Sequence, residues 1–164
     1  GLFTSPHLLR LNERFRIDGA DIEDSALEHH WLRVEEATRA AGAEQTLGGF
    51  EFLFLIAADW FAVRGCRHTV WEAGIGGRFD PVRMIKAQRV GLTALDLEHT
   101  DLLGDTLSAI ACDKADAAPV GGKLSLGEIA VGFQVAAWRR LSAEQRRPCD
   151  STSLGCRSAH PLPG

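Results

Sequence analysis

The chain has 164 residues, 45% of them apolar and 24% charged, with a formal net charge of -4 at neutral pH. This length suits one domain with one core, and the composition excludes disordered, collagen-like and membrane-embedded classes. Acidic and basic residues are interspersed, so no basic face awaits a nucleic-acid backbone. The longest apolar stretch, Phe50 to Val63, is interrupted by Glu51 and Asp59 and falls short of the roughly 20 residues that span a bilayer. The residues ahead of it show no signal-peptide pattern. Cys66, Cys112, Cys149 and Cys156 have neither CxxC nor zinc-ligand spacing, which predicts reduced thiols in a soluble, cytoplasmic protein.

The first residues, Gly-Leu-Phe-Thr, read as the tail of a strand already under way. From Asp24 to Gly42, Leu27, Trp31, Val34 and Ala37/Thr38 recur at helical spacing, with Asp24 or Ser25 as N-cap and Gly42 as the stop. A second helix is expected from Gly49 to Val63, ending at Gly65 and apolar on most faces, hence packed between a sheet and its neighbours. Arg67 to Ala73 reads as a strand, and Gly74-Ile-Gly-Gly77 as a tight turn. Arg89 to Asp96 reads as another strand and Thr106 to Ala118 as a helix. The alternation predicts an α/β fold with a mostly parallel sheet flanked by helices. After Gly121 periodicity weakens, so the expected organisation is a domain over 1–121 and a divergent, partly disordered tail over 122–164, poorly ordered beyond Arg147.

In parallel α/β sheets ligands collect beyond the carboxyl ends of the strands, where Glu72 and Asp96 are expected. Glu72 ahead of a glycine turn is either an oxygen ligand for a hard cation such as Mg²⁺ or a solvated loop acid. His99, following Asp96 and Glu98, offers an imidazole beside carboxylates, a metal-binding cluster or a surface group. Lys114, within a predicted helix, reads on spacing alone as a surface charge. The sequence contains neither Gly-x-x-x-x-Gly-Lys-Ser/Thr nor Gly-x-Gly-x-x-Gly, so no phosphate-cradling loop is found within it.

Several motifs occur in one order: Phe3-Thr-Ser-Pro-His-Leu8, Asn12-Glu-Arg14 with Ile17-Asp-Gly19, Phe50-Glu51, Glu72-Ala-Gly-Ile-Gly-Gly-Arg-Phe-Asp80, Leu97-Glu-His-Thr100 with Leu103-Gly-Asp-Thr106, and Asp113-Lys-Ala115. Together, over about residues 1–120, they resemble the central ATPase domain of folylpolyglutamate/dihydrofolate synthases, within the Mur ligase superfamily. The resemblance implies part of a P-loop NTPase-like domain without its P-loop strand and helix. It implies an ATP-dependent amide ligase in which ATP phosphorylates a folate or pteroate carboxylate and the amine of glutamate displaces phosphate. Mg²⁺ neutralises charge on the transferred phosphoryl in such reactions. By the same resemblance Glu72 and His99 are Mg²⁺ ligands, and Lys114 matches the lysine that the family carbamylates. The resemblance also implies that Thr4, Ser5, Pro6 and His7 form the loop over the folate or pterin site, and that Arg78 and Asp80 have a structural role in the loop after the metal-binding glutamate. The chain departs from the family where Pro81-Val82-Arg83 replaces Ala-Thr-Asn and where Asp113-Lys-Ala-Asp116 replaces Glu-Lys-Ala-Gly.

Without a phosphate loop in this sequence, the chain is expected to be inactive alone. Three other readings compete: a non-catalytic ligand-binding or scaffold relic, a Mur-type ligase with a non-folate acceptor, and a metal-dependent phosphohydrolase built on Glu72, Asp96 and His99.

Overall fold

The computed structural model describes residues 1–119 and 122–126. The chain divides into two compact units, Gly1–Gly74 and Ile75–Gly164, where composition alone suggested one core.

The first unit opens with β1 (Leu2–Phe3), a 3-10 turn at Leu11–Arg14, β2 (Phe15–Ile17) and β3 (Ala20–Asp21). Two helices, α1 (Asp24–Ala40) and α2 (Gly49–Val63), lead to β4 (Val70–Trp71). Asp18 and Gly19 both adopt positive φ, 52° and 84°, so Asp-Gly closes the β2–β3 hairpin with both central residues left-handed. The sheet order is β3-β2-β1-β4, antiparallel at β3-β2 and β2-β1 and parallel at β1-β4. This sheet is therefore mixed, so the expected mostly parallel arrangement holds only in part: the Asp18-Gly19 turn makes β2 and β3 antiparallel without a crossover.

Phe3 and Phe15 face each other across β1 and β2 and are fully buried. Phe3 meets Phe50 and Trp71 with ring centroids 5.7 and 5.8 Å apart, and Trp71 meets Phe54 and Phe61 at 5.1 and 5.2 Å. These tilted pairings suit ring quadrupoles and make an aromatic core between sheet and α2. Helix α1 packs on α2 through Val34 and through His30, which is only 4% exposed. Burial of an imidazole requires a partner, and Nδ1 of His30 donates to Asp59 on α2 at 2.6 Å. The Glu23 N-cap of α1 makes no side-chain bond, one residue ahead of the predicted cap.

The second unit contains a 3-10 turn at Pro81–Ile85, then β5 (Arg89–Leu92), α3 (Thr100–Leu103), α4 (Leu107–Ala115) and β6 (Lys123–Leu126). β5 and β6 pair in parallel, and Leu92, Ala115 and Leu124 bury a small aliphatic core. Thr106 caps α4 by accepting the Ala109 N–H. β6 lies past the boundary drawn at residue 121, and the rest of the 122–164 tail falls outside the described residues. Strands expected over 67–73 and 89–96 form only at Val70–Trp71 and Arg89–Leu92, where a partner strand is present. Asp96 therefore lies in the loop beyond β5 and not at a strand end.

Cys66 is a free thiol. Cys149 and Cys156 fall outside the described residues. No helix among the described residues is long and apolar enough to cross a membrane.

Candidate functional site

Parallel neighbours end on the same side of a sheet, so the residues after β1 and after β4 emerge together. Thr4 and Ser5 follow β1 and Glu72 follows β4, with the Glu72 N–H donating to the Phe3 carbonyl at 2.9 Å. Beyond that bond the Ser5 N–H donates to Oε2 of Glu72 at 2.8 Å. The sequence-predicted carboxylate and the Thr4–His7 loop are thus held together at one strand end, with a cis bond at Ser5-Pro6.

The Asn-Glu-Arg motif shapes that loop. Glu13 accepts the N–H groups of Leu8, Leu9 and Arg10 at 2.8, 3.0 and 2.8 Å, and these bonds hold its carboxyl below the ordinary glutamate range. Nε of Arg14 donates to Nδ1 of His7 at 2.9 Å, and the Thr4 N–H donates to the Arg14 carbonyl at 3.0 Å. Buried Asn12 donates to the Ile22 carbonyl and to Asp24, both at 2.8 Å, fixing the turn to the start of α1. Beside these residues a cleft of about 760 Å³ is lined by Leu11, Arg14, Trp31, Phe50 and Phe52 among others, a volume in the range of small-molecule pockets. Sequence reading missed it, since its walls come from the 3-10 turn at Leu11–Arg14, α1, α2 and the loop before α2.

In the second unit two buried carboxylates organise the glycine loop. Asp80 accepts the N–H of Ile75 at 3.1 Å and of Val82 at 2.9 Å. Asp113 accepts the N–H of Gly77 at 2.9 Å and of Arg78 at 3.4 Å. Arg78 lays its guanidinium 4.9 Å from the centre of the Phe79 ring, and its carbonyl accepts from Arg83 at 2.9 Å. In the sequence Asp113 stands out only within Asp113-Lys-Ala115, because its partners lie 35 and 36 residues away.

Lys114 is not a fully solvated helix charge. Its side chain is 19% exposed and Nζ donates to Glu98 at 2.9 Å. That bond, with the charge of Lys114, lowers the Glu98 carboxyl below its ordinary range. His99 occupies the N-cap position of α3 with a left-handed backbone, and its carbonyl accepts from Leu102 and Leu103. Lys114 is therefore joined to the segment that carries His99, while Glu72 belongs to the first unit. Asp96 turns onto its own loop, accepting the Leu97 N–H at 2.7 Å.

Among the described residues no three His, Cys, Asp or Glu side chains gather into a metal cage. Mg²⁺ usually takes one or two carboxylates and fills its octahedron with water and phosphate oxygens. An exposed Glu72 carboxylate, oriented by one main-chain N–H, fits that pattern.

These features define an α/β protein whose candidate groups lie in loops after strands and, for Lys114, on α4. No protein-family profile matches the chain. It is 41% identical over 120 residues to folylpolyglutamate synthase of Arabidopsis thaliana, covering 70% of this chain and 21% of that enzyme. It superposes on a solved FPGS–AMPPCP complex with TM-score 0.79 and 34% identity, over 88% of this chain and 36% of that one. A bifunctional folylpolyglutamate synthase/dihydrofolate synthase from Yersinia pestis, solved with AMPPNP and Mn, gives TM-score 0.73 and 28% identity over 85% and 33% of the two chains. The chain belongs to the folylpolyglutamate synthase/dihydrofolate synthase family, and it spans about a quarter or less of the length of the curated relatives it matches.

Proposed function

We propose that the chain is part of an ATP-dependent ligase that joins glutamate to a folate or pteroate carboxylate. The observation carrying this reading is the Glu72 carboxylate held by the Ser5 N–H at the shared end of β1 and β4, in a chain homologous to enzymes solved with ATP analogues and manganese. In the reaction the γ-phosphoryl of ATP passes to the acceptor carboxylate, giving ADP and an acyl phosphate. The glutamate amine then attacks the acyl carbon, the amide bond forms and phosphate leaves. A divalent ion, Mg²⁺ in this reading, neutralises charge on the phosphate oxygens.

Glu72 is proposed as the carboxylate ligand, oriented by Ser5, and His99 as an imidazole ligand. Lys114 is proposed as the lysine that is carbamylated, a change that converts its cation into an anionic oxygen donor. Thr4, Ser5, Pro6 and His7 are proposed to cover the acceptor, with the aromatic cleft beside Arg14 suited to its rings. Arg78 and Asp80 keep the glycine loop in shape. The reading places the protein in the cytoplasm with small-molecule partners.

A chimera tests it. Residues 1–119 replace the homologous segment of the Yersinia pestis enzyme, and glutamate-dependent ADP formation is measured. Turnover that Glu72→Gln removes supports the reading; a folded but inactive chimera, or one indifferent to Glu72→Gln, overturns it. The chain by itself is expected to show no such turnover.

A further inference from the structure

Four N–H groups of the glycine loop and the turn after it end on two buried acids, and Asp113 is the one whose position has no local explanation. Asp80 reaches groups two and five residues away, as a turn-capping aspartate does. Asp113 instead sits in the last turn of α4, is 9% exposed, and spends one oxygen, Oδ1, on both Gly77 and Arg78. An acid buried at that depth is stable only when hydrogen-bonded.

The glycines are built for this contact. Gly76 has φ +68°, and a Cβ there would run into the Asp113 carboxylate and the Leu103 side chain. At Gly77 a Cβ would lie 2.9 Å from the Asp113 carbonyl and 3.0 Å from Ala117, and would also strike the Lys114 carbonyl. The turn therefore rests directly on the main chain of residues 113 and 114. From that same stretch Lys114 sends its amine to Glu98. Two consecutive residues of one helix turn thus do different jobs: one grips the loop, and the next presents the half-buried cation.

We propose that Asp113 is a positioning residue for Lys114, locking the Gly76–Arg78 turn onto the end of α4 and so fixing where the Lys114 side chain leaves the helix. The assignment rests on the ligase reading for its catalytic meaning, because Lys114 matters to the reaction only if that reading holds. The grip depends on an oxygen acceptor and not on charge, since both N–H groups meet Oδ1. An asparagine at 113 keeps that oxygen; an alanine does not.

The test uses the full chain without nucleotide. Amide hydrogen exchange is followed at Gly77 and Ile110, and brief amine acylation is quantified at Lys114, Lys86 and Lys123. For Asp113→Ala, exchange at Gly77 is expected to accelerate by about tenfold or more, as for loss of a buried acceptor. Lys114 acylation should rise several-fold while Ile110 exchange and the other lysines stay unchanged. Asp113→Asn should behave as the wild type in every readout. Unchanged Gly77 exchange or Lys114 acylation in Asp113→Ala would overturn the proposal. So would an Asp113→Asn chain that matches Asp113→Ala, or faster exchange spread evenly along α4. If the local effects appear but the chimera is inactive, it is the ligase reading that fails, and the grip on the turn stands without it.

Discussion

The two units are held by different means. The first buries rings, with Phe3, Phe15, Phe54, Phe61 and Trp71 closing around a four-stranded sheet. The second has a small aliphatic core, and its glycine loop is fastened by carboxylates accepting main-chain N–H groups. The contrast teaches that rings secure a sheet, whereas a loop in either unit needs polar anchors, as Glu13 and Glu72 supply after β1 and Asp80 and Asp113 supply around the glycine turn. Apolar burial is non-directional, so it secures the sheet without choosing a loop geometry. Hydrogen bonds are directional, and they fix the loop in one conformation.

The sharpest way to break this contrast is Phe3→Ala, which removes the ring that meets three others. Loss of about 3–5 kcal/mol in urea unfolding is expected; a loss below about 1 kcal/mol would deny the aromatic core its place. In the second unit Asp80→Ala strands the N–H groups of Ile75 and Val82, and about 1–3 kcal/mol for each unsatisfied group is expected at most. Asp80→Asn, which keeps one acceptor oxygen, should lose less in the same measurement.

Smaller is the pH dependence of the α1–α2 contact. Hydrogen bonding to Arg33, opposed by burial and helped by His30, holds the Asp59 carboxyl below the ordinary aspartate range. A folded pKa below the unfolded one gives stability that is present above the unfolded value, about 4, and is lost as pH falls through the folded value. Asp59→Asn should therefore flatten the acid limb of the stability profile, in urea unfolding followed below about pH 4. An unchanged acid limb would remove Asp59 from the account. Smallest is Glu98→Gln: the pair with Lys114 is half exposed on the glutamate side, so under about 1 kcal/mol is expected.

Much of this was legible from the chain. The bounds of α2 coincide with the expected Gly49 to Val63 because an apolar run lies between Gly48 and Gly65. The end of α1 near Gly42 followed from the same glycine signal. The β2–β3 hairpin was not read, although Asp18-Gly19 is the usual sequence for such a turn; those residues were used only as a motif. His30 escaped because a polar side chain on α1 reads as solvent-facing until Asp59, 29 residues on, supplies its partner. At the candidate site, the Glu72–Ser5 bond spans 67 residues and the Asp113–Gly77 bond 36. Such pairings arise from strand order and helix docking, which no local window contains.

Glu72 as a divalent-metal ligand is the claim most directly open to measurement. Mn²⁺ titrated into the ¹⁵N-labelled chain should broaden the amides of Ser5 and Glu72 first, and Glu72→Gln should abolish that selectivity. Broadening that begins elsewhere, or that persists at Ser5 in Glu72→Gln, would contradict it.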